Sequence, residues 1–157
     1  MTDHKHKFLV VIDDTKECDR AVTFAAHRVK RTGGSIVLFS VIETQDFTQF
    51  IGVEDALRAE ARETAEQLLD ARRARISRIG DIRMETVIRE GDWQTEIERL
   101  IAEDPGIGIM VLAASNSKEG PGPLVTAFAA RSGAAALPVI VTIIPGTMTD
   151  EQIIAVT

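Results

Sequence analysis

The sequence predicts a single doubly wound α/β domain, a five-stranded parallel sheet with helices on both faces. Five short apolar or alternating runs read as strands: Phe8 to Ile12, Ser35 to Ile42, Arg83 to Arg89, Ile107 to Ala113 and Val139 to Ile144. Each is separated from the next by a stretch that reads as a helix, which is the pattern of right-handed parallel crossovers. No change of composition divides the 157 residues, so residues 1–146 are read as the domain and 147–157 as a tail, itself a short helix.

Phe8 to Ile12 is apolar throughout, as a strand buried on both faces must be, and it stops at Asp13-Asp14-Thr15. Cys18, Ala21, Val22, Ala25 and Val29 then recur at helical spacing, with Thr15 as the expected cap and Gly33-Gly34 as the terminator. Cys18, the only cysteine, falls on that apolar face and reads as a core residue. Ser35 to Ile42 repeats the buried-strand pattern.

From about Val53 to Ile79 the chain reads as a long helix, acidic at its start and basic at its end, as the helix dipole favours. Arg72, Arg73, Arg75 and Arg78 are taken as a solvated face of it. Arg83 to Arg89 alternates and reads as an edge strand. Trp93, Ile97, Leu100 and Ile101 form the buried stripe of a third helix, with Trp93 read as core. A fourth helix is expected from Pro123 to about Ala136, and in the tail Ile153, Ile154 and Val156 read as one apolar face.

Composition narrows the function. A formal net charge of −6 disfavours nucleic acid and anionic lipid as partners, and no apolar run approaches the length of a membrane span. The N-terminus leads directly into a strand without a signal-peptide pattern, so a cytoplasmic protein is expected. His4 and His6 read as solvated terminal residues, and His27 as an uninformative helix position.

In parallel sheets ligands sit outside the carboxyl ends of the strands. The segments of interest are therefore Asp13 to Lys16, Val41 to Thr44 and Ala113 to Pro123. The last is rich in small and turn-forming residues and feeds a helix N-terminus, an arrangement suited to anions, with Lys118 as a mobile positive charge.

Phe8-Leu-Val-Val-Ile-Asp13, Val41, Glu90-Gly-Asp92 and Ala136-Leu-Pro-Val-Ile-Val141 together resemble the universal stress protein family across nearly the whole chain. The resemblance implies an adenine nucleotide alpha hydrolase-like sheet of order 3-2-1-4-5. It also implies a homodimer paired through the fifth strand (Val139, Ile140, Val141, Thr142, Ile143, Ile144) and, in one branch, ATP held between strands one and four. That branch carries a loop of Gly, two residues, Gly, nine residues, then Gly and Ser or Thr. Here Asn116 stands at the second glycine, the final pair is Thr126-Ala127 or Val125-Thr126 by register, and the three glycines are missing. Asp14 stands where the family commonly has glycine.

Three functions follow as expectations. The first is a stress-response regulator with a degenerate adenine-nucleotide pocket, taking ATP or another adenine nucleotide with Mg²⁺. Asp13 and Val41 would serve the nucleoside and Ser115, Ser117, Lys118, Gly120, Gly122 and Thr126 the phosphates, with Ile12, Asp14, Thr15, Ala113 and Asn116 as the other residues of the candidate nucleotide site. The second is a dimeric interaction module that binds no ATP. The third is a phosphohydrolase using Asp13-Asp14 with a metal; no catalytic residue is assigned, and the protein is read as a non-enzyme.

Overall fold

The computed structural model describes residues 5–44, 52–131 and 137–157. Its elements run β1 (Lys7–Val11), α1 (Cys18–Thr32), β2 (Ser35–Ile42), α2 (Glu54–Ile79), β3 (Arg83–Glu90), α3 (Trp93–Glu103), β4 (Ile107–Ala114), α4 (Pro123–Ala129), β5 (Ile140–Pro145) and α5 (Asp150–Val156). The five strands form one sheet in the order β3-β2-β1-β4-β5, and every pairing is parallel. Fold class and strand order are those the sequence and its resemblance predict.

The two faces of the sheet follow from the period of two along each strand. Phe8, Val10, Ile36, Leu38 and Val111 point to one face, where they pack with Ala21, Val22, Ala25 and Val29 of α1 and Leu69 and Ile76 of α2. Leu9, Val11, Val37, Phe39, Met110 and Leu112 point to the other, against α3 and α4. Apart from Lys7 at the start of β1 and Ser35 and Ser40 in β2, these two strands are apolar because both of their faces are covered. At the edge, β3 is mostly exposed or half-buried, with Met84 and Ile88 on the first face and Val87 on the second.

Several local expectations are corrected. Thr15 does not cap α1: Glu17 occupies the N-cap without a side-chain hydrogen bond, and Thr15 instead donates to Asp13. The arginines of α2 are not all solvated, because Arg72 pairs with Asp19 and Arg75 with Asp150 and the Thr23 hydroxyl. The fourth helix ends at Ala129; the rest of the range expected for it includes residues 132–136, which lie outside the described residues. Ile153 alone of the tail's apolar residues is buried, packing into the α1 face, while Ile154 and Val156 are exposed.

Candidate functional site

Two neighbouring clefts open at the carboxyl ends of the strands. The first, of about 380 Å³, lies between the ends of β1 and β4 and the start of α4, with Val11, Leu112 and Val125 among its apolar walls. The second, of about 670 Å³, lies between the ends of β1 and β2 and the first half of α2, with Val41, Leu57 and Leu68 on its walls. Asp13, Asp14, Glu43 and Trp93 belong to both.

Local geometry explains how these side chains arrive there. The β1 ladder ends as Ile12 N–H donates to Phe39 O at 2.8 Å, and the chain then turns on Asp13, whose Oδ1 accepts from Thr15 N at 3.0 Å and from its hydroxyl. Gly91 N donates to Ile42 O at 2.9 Å, fastening the β3–α3 turn to the end of β2. Asp92 caps α3, its Oδ2 accepting from Thr95 N and Oγ1 at 3.1 Å each, so Trp93 is held as the first helical residue, facing both clefts. Trp93 is therefore a half-buried wall residue that also touches the core, and not simply a core residue.

Of the residues singled out from sequence, Asp13, Asp14, Thr15, Ala113 and Gly122 line the first cleft, and Val41 lines the second. Ile12 is fully buried beside them. Ser115, Asn116, Ser117, Lys118, Gly120 and Thr126 are not on either wall. Their loop is closed on itself: Ser115 N donates to Pro121 O, Ser117 N to Ser115 Oγ, Glu119 N to Ser117 Oγ and Gly120 N to Ser117 O. Those four amides are thus engaged within the loop. Lys118 is exposed.

Glu17, Glu43, Asp92 and Trp93 were not assigned from sequence as site residues. The signal for Trp93 and Asp92 was present, since both follow directly on the carboxyl end of a strand, but an isolated large apolar residue at helical spacing reads first as core. The charge of the walls is one-sided. Asp13, Asp14, Glu17, Glu43 and Asp92 line the first cleft and Glu60 joins the second, with no Lys, Arg or His on either wall among the described residues. Such walls do not fit a triphosphate, whose own charge they repel. No set of three or more His, Cys, Asp or Glu side chains gathers to hold a metal among the described residues.

Cys18 lies at the base of the first cleft, 2% exposed, with Sγ 3.7 Å from Val11 O. Burial pushes its thiol up to about 11, which disfavours the nucleophilic thiolate at neutral pH.

A parallel sheet of this order, with a cleft at the strand ends between β1 and β4, defines a doubly wound α/β architecture. The model of the universal stress protein family matches residues 5–136, and the chain belongs to that family. Among solved structures, it is similar to the universal stress protein UspA from Lactobacillus plantarum, with a TM-score of 0.72 and 19% identity over 91% of this chain and 99% of that one. A universal stress protein solved in complex with cAMP matches with a TM-score of 0.64 and 15% identity over 92% of this chain and 100% of that one. A family protein from Arabidopsis thaliana with AMP bound matches with a TM-score of 0.56 and 19% identity over 88% and 90%. Comparison with curated proteins gave no match. Among the described residues no helix is long and apolar enough to cross a membrane.

Proposed function

We propose that this protein is a cytoplasmic stress-response regulatory module, not an enzyme, that works as a homodimer paired through β5. The unit is a family domain over residues 1–146 with residues 147–157 as an appended tail. The observation that carries this reading is the edge at β5. Hydrogen-bonded to β4 on one side only, it carries no charged residue, and its Ile140 is 66% exposed. Beside it Phe128, Leu137, Val139, Val141 and Ile143 line a groove that Arg131 also borders, so its walls are part apolar and part polar. An uncharged edge of this kind is normally paired or covered, and a second copy of the same strand is the simplest cover.

Light scattering on the purified chain tests this. A dimer is expected, with Ile140→Lys shifting it to monomer while the circular dichroism spectrum is retained. A wild-type monomer at tens of micromolar would overturn the reading.

A second reading is an adenine-nucleotide pocket taking ATP or a related nucleotide with Mg²⁺. It is supported by the two neighbours solved with cAMP and AMP. In this chain the acidic walls speak against the triphosphate form, because Mg²⁺ would have to offset both the ligand's charge and the protein's. Calorimetry with ATP and Mg²⁺ decides it: saturable binding supports this reading, and its absence leaves the dimeric module that binds no ATP.

A further inference from the structure

The edge strand and the tail behind it are joined by a tight turn. β5 ends at Pro145, Met148 N donates to Pro145 O at 3.1 Å, and α5 starts directly after Thr149. On the first face of the sheet the side chains of β5 pass from buried at Ile144 to exposed at Ile140. Ile144 owes its burial to a cluster that takes in Ile153 of α5, Met148 of the turn, and Ala21, Val22 and Ala25 of α1. The tail therefore backs the carboxyl end of β5, and the amino end stands uncovered.

α5 is itself lightly held. Seven residues do not make a stable helix alone, so this one exists by docking. Ile153 is its one buried residue. Its polar ties are the exposed Asp150 carboxylate, approached to 3.3 Å by Arg20 of α1 and by Arg75 of α2, and Arg28 Nη1, which donates to Thr157 O at 3.1 Å. Exposed ion pairs add little stability, and a short segment with a single buried anchor opens before the rest of a fold does.

An edge strand pairs best when it already has its paired shape, because ordering it on association subtracts from affinity. We infer that α5 is a latch on the β5 edge: docked on α1 it holds β5 in the shape that receives a second copy, and its release weakens that pairing. The inference rests on the homodimer proposed above and adds its regulation by the tail.

Coupling of this kind is reciprocal, so pairing must also hold α5 closed. Hydrogen–deuterium exchange of residues 150–156 is read by mass spectrometry on the full chain, from below to well above its dimer dissociation constant. It is expected to slow by at least about threefold as the dimer forms. At a concentration where the chain is monomeric, Asp150→Asn, which cuts both ion pairs, should speed that exchange by about threefold. Glu151→Gln, which removes the same charge from the same turn, should leave it near the wild-type rate. Ile154→Glu, on the exposed side of α5, should leave the dimer within about twofold of wild type. Exchange that does not change as the dimer forms, or that Asp150→Asn leaves unaltered, would overturn the latch and leave the dimer standing. Loss of pairing in Ile154→Glu would make α5 part of the contact surface itself, which also overturns the latch alone. A chain that stays monomeric at every concentration would overturn the dimer, and the latch with it.

Discussion

Arg72 of α2 places Nε 3.2 Å from Oδ1 of Asp19 on α1, with the arginine side chain only 13% exposed. The N–H is not aimed at the carboxylate, so the charges pair without a hydrogen bond. A pair of this kind recovers little of the desolvation it requires, and its two halves are unequal on removal. Asp19→Ala, which leaves a nearly buried guanidinium without its counter-ion, is expected to destabilise by about 1–2 kcal/mol, the range reduced because Asp19 is partly solvated. Arg72→Met, which keeps the apolar stem and deletes the charge, is expected to stay within about 0.5 kcal/mol of wild type. Urea unfolding measures both, and the reverse order would refute the argument.

The tail's apolar residues are expected to separate sharply. Ile153 is fully buried in the α1 face, Ile154 is 46% exposed, and α5 is held by its Thr149–Gln152 capping box. It is further tied by Arg20 and Arg75 to Asp150 and by Arg28 Nη1 donating to Thr157 O. Ile153→Ala should cost roughly 2–4 kcal/mol, because it opens a cavity in the core. Ile154→Ala should cost less than about 0.5 kcal/mol. Equal losses in denaturant titrations would mean that α5 is not packed as described.

Gly146, just after β5, has no room for a side chain. A Cβ there would meet the Ala114 carbonyl oxygen at the end of β4 and stand 2.6 Å from Asn116 Oδ1. Gly146→Ala is therefore expected to destabilise by about 1–3 kcal/mol, lowering Tm by roughly 3–10 °C. Combining it with Asn116→Gly should restore only part of that loss, since the backbone carbonyl remains. Full rescue in a thermal melt would place the clash on Asn116 alone.

The sheet was legible because burial on both faces leaves an unambiguous mark. Phe8 to Ile12 and Ser35 to Ile42 admit no polar residue at the inner positions other than Ser40, and the capping signal at Thr149 and Gln152 is local enough to read by eye. The site was less legible because its walls come from the ends of separate strands, and periodicity does not say which end of a helix meets an opening. Trp93 has the spacing of a core residue and also the position of a wall residue, and only the turn fixed by Gly91 to Ile42 decides between them. In the same way, Arg72 and Arg75 have the sequence signature of a solvated helix end, yet Asp19 and Asp150, more than 50 residues away, draw both across to other elements. The loop of Ser115 to Gly122 has a phosphate-loop composition, but its serines spend their oxygens on its own amides, an outcome that composition does not reveal.

Stability should also depend on pH through His27. Burial holds its imidazole below the ordinary value of 6.5, Lys30 adds to the depression, and Asp150 opposes it. The charged form is thus disfavoured in the folded state. As pH falls through about 6.5 the unfolded chain takes up a proton that the folded chain resists, so unfolding becomes easier and the slope of stability against pH is positive in that window. The loss stops growing once pH drops below the folded-state value, where both states are protonated. His27→Gln, which is never charged, should flatten this part of the profile while leaving stability near pH 8 almost unchanged. Denaturant midpoints at intervals between pH 5 and 8 measure it. An unchanged slope in the variant would assign the pH dependence to other groups, and a steeper one would mean that the protonated imidazole is stabilised by Asp150 more than it is penalised by burial.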